Sequence, residues 1–226
     1  MQPTKWQSIK SFLWDVHVLS CSSDYNPELH VLLSKGRYQL VTDKAIYSHE
    51  DLYDNFGEIL CNRLDLTKRD DIKVLVLGLG LGSIPIILDQ IRPGQYDITA
   101  VEIDEVICEL AATYAYHKIK SPINTVIGDA YDIVGQMNDS FDLICVDLFV
   151  GEHTPQKFRS ADFLQKLANL LNSDGVVIYN TLGYTKTDKA ESASFFNKQF
   201  KSVFVEAESI YAHRNYMLIS NRHWFR

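Results

Sequence analysis

The chain has 226 residues, enough for one large domain or one domain with a small appendage, and its 46% apolar content supports a packed core rather than a disordered chain. Its formal charge is −7, with Lys and Arg scattered and no basic run. That argues against nucleic-acid binding, which rests on cations that displace counterions from phosphates. No segment approaches the roughly 20 apolar residues that span a bilayer, and MQPTKWQSIKSF has no apolar run behind a basic region, so a cytoplasmic chain without membrane contact is expected.

In chain order, residues 11–48 read as extended. FLWDVHVLS alternates large apolar residues with others, and its aromatics, with Trp6 and Trp14, are expected to form a packing face. ELHVLLSKGRYQLVTDKAIYS predicts two strands meeting at a Lys35-Gly36 hairpin turn. Leu52, Phe56, Ile59, Leu60 and Leu64 recur at helical spacing. Residues 1–66 are thus a small β unit with a linking helix, and 67–226 a second domain. There IKVLVLGLG suits a parallel strand covered on both faces. SIPIILDQI predicts a helix stopped at Pro93-Gly94, DITAVEID a strand and EVICELAATYAYH a helix. NTVIGDA and FDLICVDLF read as strands, ADFLQKLANLLN as a helix ended by Ser173-Asp174-Gly175, GVVIYNTL as a strand and ESASFFNKQF as a helix. SVFVEAES and NYMLISN close the chain as two mutually antiparallel strands. Alternating strands and helices imply an α/β fold: a Rossmann-like doubly wound sheet, mostly parallel, with an antiparallel last strand.

Ligands of such sheets bind beyond the carboxyl ends of the strands. The first strand ends in Gly78-Leu79-Gly80-Leu81-Gly82, where glycines allow a tight turn and close backbone approach. The second ends in Glu102-Ile103-Asp104, where a carboxylate can accept from both hydroxyls of a ribose; the third ends in Gly128-Asp129-Ala130, where one can take the amine of an adenine. The fourth ends in Asp147. Any one of these acids could merely cap the next helix, but four such endings in order point to an adenosine-containing cofactor. A nicotinamide dinucleotide fits less well, because Ser83 stands where the third glycine of G-x-G-x-x-G belongs. Cys21, Cys61, Cys108 and Cys145 are far apart and form no C-x-x-C pair, so reduced thiols and no metal are expected.

V-L-V-L-G-L-G-L-G-S, V-E-I-D, G-D-A and F-D-L-I-C-V-D together resemble the cofactor core of class I S-adenosylmethionine-dependent methyltransferases. More narrowly, with the N-terminal β unit and the stretch from Asp43 to Asp51, the chain resembles the spermidine synthase family of aminopropyltransferases. The resemblance implies S-adenosylmethionine, or its decarboxylated form, held by Gly78, Gly80, Gly82, Glu102, Ile103, Asp129, Ala130 and Asp147. It implies Asp147 as the catalytic carboxylate, orienting the acceptor or the sulfonium, a small-molecule acceptor near Tyr47, His49 and Glu50, and a homodimer built through the N-terminal unit. His153 is a further candidate for the acceptor pocket. The chain departs from the family in four places. Leu81 replaces the acid between the glycines, Tyr47 replaces Gln, and Phe56-Gly57 replaces Tyr-His. Val150 stands where the family has its second acid, the general base. Three readings follow: methyl transfer to a small acceptor; divergent aminopropyl transfer with Asp147, Glu152 or Glu50 recruited as base; or a non-catalytic adenosyl-ligand module.

Overall fold

The computed structural model describes residues 3–43, 45–67, 69–151 and 153–226; Lys44 and Glu152, the latter a candidate base, lie outside them. The chain forms two sheets. The smaller takes β1 (Val16–Cys21), β2 (Leu29–Ser34), β3 (Arg37–Val41) and β4 (Ile46–Ser48) in simple antiparallel order. Lys35 and Gly36 both adopt positive φ, 52° and 75°, at the expected turn, the conformation that a two-residue hairpin demands. β4 extends this hairpin by a third strand.

A short helix, α1 (Lys5–Lys10), precedes the sheet. It is capped by Thr4 and Gln7, whose side chains and backbones bond reciprocally. The stretch that follows does not pack as expected. Trp6 and Trp14 are 74% and 58% exposed, and Phe12 and Leu13 are also exposed, because α1 lies outside the apolar layer made by β2 and β3.

The larger sheet has seven strands in the order β10-β11-β9-β8-β5-β6-β7. Its parallel centre is β5 (Ile72–Leu77), β6 (Tyr96–Glu102), β7 (Ile123–Ile127), β8 (Phe141–Val146) and β9 (Leu171–Leu182). The final hairpin is β10 (Glu208–Ala212) and β11 (Asn215–Ile219), with β11 antiparallel to both β9 and β10. The order turns around at β5, between β6 and β8, which creates the crevice expected to take a ligand.

Both faces of this sheet are covered, and the central strands show it by alternation. Val74 and Val76 of β5 face one core, with Phe56, Ile59 and Leu60 of α2 (Asp54–Asn62) and Ile84, Ile87 and Leu88 of α3 (Ser83–Ile91). Leu75 and Leu77 face the other, with Val134 of α5 (Ala130–Gln136), Phe163 and Leu167 of α6 (Ala161–Asn169) and Phe195 of α7 (Lys186–Phe195). So α2, expected to link the two units, packs into the large sheet's core. A third cluster joins the units: Leu29, Val31 and Leu40 of the small sheet meet Leu81 and, from α4 (Glu105–Tyr114), Ile107, Leu110 and Tyr114.

Two boundaries differ from expectation. β9 begins at Leu171 rather than Gly175, and its pairing with β8 shifts register between Phe141 and Leu143. SVFVEAES is not a strand at its start. The helix of α7 runs on through a π turn at Phe196–Phe200 and ends at Lys201–Val203, because Phe200 and Phe204 are needed in the core beside Tyr179. Among the described residues, no helix is long and apolar enough to cross a membrane. The four cysteines are free, with Cys108 and Cys145 buried.

Candidate active site

The carboxyl ends of β5, β6, β7 and β8 open into a cavity of about 780 Å³. Its far side is formed by the segment around β4 and the start of α2, and its rim by the β10–β11 turn. The glycine loop enters it between β5 and α3. Gly78 has φ +89°, and a Cβ there would meet the Asp147 carbonyl oxygen at 2.2 Å. Only glycine lets these two strand ends come that close. Gly80 and Gly82 are also left-handed, at +53° and +82°; Gly78 and Gly80 line the cavity, whereas Gly82 caps α3.

Glu102 lies at the end of β6 and is almost fully buried. One oxygen accepts from Leu79 N (3.0 Å) and Gly80 N (3.3 Å), the other from Ile103 N (2.9 Å) and Asp104 N (3.2 Å). Burial raises its pKa, and these amides offset part of that. Two of the four bonds are long, so two ribose hydroxyls can replace them at little cost. Asp104, two residues further on, does not face the ligand space. It caps α4 through Val106 N, and it accepts from Ser23 and from Asn26 Nδ2 (2.8 Å) in the β1–β2 loop.

Asp129 caps α5 through Tyr131 N (2.9 Å) and forms an ion pair with Lys157. Ala130 is the first residue of α5, so its N–H has no partner within the helix. A carboxylate beside a free amide matches an adenine edge, which presents an amine next to a ring nitrogen. Ile103 and Ile107 add apolar wall for a base. The residues present therefore fit an adenosyl group.

Asp147 follows β8 directly. Its Oδ1 accepts from Asn180 Nδ2 and its Oδ2 from Tyr53 OH, both at 2.8 Å. Burial pushes its pKa up to about 6, against the opposing pull of those two donors. Asn180 is in turn held by Asn215 Nδ2 at 2.7 Å. The tyrosine, whose own pKa is raised well above 10 by burial and by Asp147, and the two asparagines were not singled out from sequence. Tyr53 stands just before α2, between Leu52 and Phe56 of the apolar pattern, and Asn180 interrupts the GVVIYNTL run. An amide inside such a run was the signal available.

Three residues were expected around the acceptor. Tyr47 lines the cavity, donating to Asn26 Oδ1 and accepting from Gly151 N, both at 3.0 Å. His49 borders it, but its ring nitrogens face Gln39 (3.4 Å) and the Ser34 carbonyl (3.3 Å). Glu50 is not brought to the cavity. It is 3% exposed, has φ +42°, and accepts from Tyr38 N and Lys118 Nζ, each at 2.6 Å. The family resemblance implied a place for Glu50 at the acceptor. Its closer ionic partner, Lys118, lies 68 residues away and leaves no local signal, while Arg37 Nε stands 3.9 Å off. His153 lines the cavity, and Val150, 62% exposed, pairs with it across a tight loop. Away from the cavity, the small sheet brings Glu28, His30 and Asp43 within 4.8 Å of one another at the surface, a grouping their spacing in sequence does not show.

Strand order, the cavity at the switch point and the antiparallel β11 define a class I methyltransferase-type fold. Within that class the chain belongs to the spermine/spermidine synthase domain family, which matches residues 58–217. It is 33% identical over 137 residues to a polyamine aminopropyltransferase of Vibrio vulnificus, covering 59% of this chain and 44% of that protein. It also resembles human methyltransferase-like protein 13, solved in complex with SAH, at 26% identity and TM-score 0.55, over 67% of this chain and 72% of that one. A probable spermidine synthase from Corynebacterium glutamicum shares the fold at TM-score 0.71 and 17% identity, over 89% of this chain and 79% of that one. The chain spans less than half the length of the curated relatives it first matches.

Proposed function

We propose that this protein binds S-adenosylmethionine and transfers its methyl group to a small acceptor. One observation carries the choice over aminopropyl transfer. The two positions where the resembled family places its extra acids hold Leu81, fully buried in the packing against the small sheet, and Val150. No carboxylate in the glycine loop therefore attracts an ammonium or repels the carboxylate that distinguishes the parent cofactor from its decarboxylated form.

When bound, the cofactor supplies a carbon already activated by its sulfonium leaving group, so positioning does most of what remains. Glu102 holds the ribose diol, and Asp129 with Ala130 orients the base; Lys157 leaves Asp129 for solvent. Tyr53 and Asn180 fix the Asp147 carboxylate at the cavity floor. With a pKa of about 6 it is mostly ionised at neutral pH and can hold a proton released by an acceptor N–H or O–H. That same poise favours the second reading, a divergent aminopropyltransferase with Asp147 as its base. A cytoplasmic setting fits the four free thiols. A homodimer fits the exposed Trp6, Phe12, Leu13 and Trp14 beside the edge strand β1, and sedimentation of Trp14→Ser against the parent protein tests it.

The decisive experiment is calorimetric titration with S-adenosylmethionine, its decarboxylated form and methylthioadenosine. Tighter binding of the parent, followed by turnover in an acceptor screen, supports methyl transfer. Preference for the decarboxylated form supports aminopropyl transfer, and binding without turnover supports a non-catalytic module. If none binds, the cofactor reading fails.

A further inference from the structure

The β10–β11 turn stands at the cavity rim, and its two central residues, His213 and Arg214, have φ of 46° and 70°. A two-residue hairpin of this kind ordinarily carries Asn-Gly or a similar pair, because side chains resist the left-handed region. Two consecutive strained residues facing a cavity call for a role there.

Arg214 also differs from six of the other arginines; the seventh, Arg226, donates to the Leu64 carbonyl at 3.0 Å. Arg37, Arg63, Arg69, Arg92, Arg159 and Arg222 each pair with a carboxylate. Arg214 makes no ion pair among the described residues; its guanidinium lies 4.9 Å over the ring of Tyr184, also at the rim. Stacking leaves the N–H fork free, and that fork matches a carboxylate. Neither acid nearby pairs with Arg214: Asp188 caps α7 through Thr185 N at 2.7 Å, and Asp54 faces His213 Nδ1 at 3.9 Å.

The backbone ties this rim to the cavity floor. Gly183 N donates to the Arg214 carbonyl at 2.8 Å, so Arg214 sits opposite Gly183. Asn215 reaches Asn180, which holds Asp147. Three residues of strand separate Asn180 from Gly183, roughly 10 Å.

We propose that the acceptor carries an anionic group, a carboxylate held by Arg214 at the rim, several bonds from the nucleophilic atom that Asp147 serves at the floor. The acceptor is then an acid with a distal amine or hydroxyl, and a polycation is disfavoured at Arg214 by its like charge. This inference rests on the cofactor reading above.

The test uses the protein saturated with S-adenosylhomocysteine and titrated calorimetrically with unbranched ω-aminocarboxylates of about four to eight carbons, a range that brackets the floor-to-rim span, and with the diamines of matching length. The aminocarboxylates are expected to bind about tenfold or more tightly than the diamines, the size of one charge-assisted contact. Arg214→Gln erases that preference and Arg214→Lys retains part of it, while both keep their affinity for S-adenosylhomocysteine. Equal or tighter binding of the diamines, no binding of any aminocarboxylate, or an unchanged preference in Arg214→Gln overturns the proposal. Failure of S-adenosylhomocysteine itself to bind overturns the cofactor reading, and this inference with it.

Discussion

Asp147→Asn tests whether the fold carries this carboxylate against its own stability. Its folded pKa of about 6 lies above the ordinary 3.8. Between those values the native state keeps a proton that the unfolded state has released. Stability from this group is therefore full below pH 3.8 and is lost as pH rises through 6. The gap of about two pH units is worth about 3 kcal/mol at pH 8 and well under 1 kcal/mol at pH 4. A neutral amide in place of the carboxylate carries no such penalty. Its oxygen can accept from Asn180, and its NH₂ can donate to Tyr53, whose hydroxyl reverses role. Thermal unfolding of both proteins at pH 8 and pH 4 reads the difference. The variant is expected to melt several degrees higher at pH 8 and to converge with the parent at pH 4. Its transfer activity should fall by about 10² or more, as expected for loss of a general base. A parent protein as stable as the variant at pH 8, or a gap that does not change with pH, would refute the account of Asp147 as a strained, ionisable floor group.

Other expectations follow from single contacts. Gly78→Ala drives a methyl into the Asp147 carbonyl at 2.2 Å; it should abolish cofactor binding in calorimetry, with soluble yield or Tm falling as well. Glu102→Ala should weaken S-adenosylmethionine by about tenfold or more, as two hydroxyl contacts to a charged group are lost. Lys118→Met leaves buried Glu50 with Tyr38 N and, at 3.9 Å, Arg37 Nε; loss of about 1–3 kcal/mol in denaturant unfolding is expected, and an unchanged midpoint would mean that these two partners satisfy it. Activity should rise with pH through about 6 as Asp147 ionises, and a flat pH–rate profile from about 5 to 8 would remove Asp147 as the base.

Much of the large sheet was legible because buried parallel strands announce themselves. IKVLVL and FDLICV are continuous apolar runs, and SIPIILDQI is bounded by a glycine turn and by Pro93-Gly94, so β5, β8 and α3 fall where they were expected. The strand-end residues were readable for the same reason, since the fold dictates where the chain leaves the sheet. Legibility failed where long-range contacts decide. VFV in SVFVEAES alternates as a strand would, but Phe204 is drawn into the cluster around Phe200, and pairing starts only at Glu208. For α1 the local signal is the capping-box pattern Thr4-Lys5-Trp6-Gln7, which the louder aromatic alternation after it masks. Glu50 looked available because nothing nearby in sequence reveals Lys118 or the amide of Tyr38. Tyr53 and Asn180 acquire a role only in the folded chain, where Asp147 lies between them.

The glycine loop is held from behind as well as from the ligand side. Ser48 Oγ accepts from Leu81 N at 2.9 Å, and the Leu81 side chain is embedded among Leu29, Val31 and Tyr114. The small sheet thus works as a splint for the cofactor loop. Ordering of that loop is completed when the protein folds, so little configurational entropy remains to be lost when a nucleoside arrives. Cofactor association should accordingly be governed by direct contacts and desolvation, and a chain shortened to begin at Tyr53, which removes the small sheet but keeps α2 in the core, should grip the adenosyl group poorly.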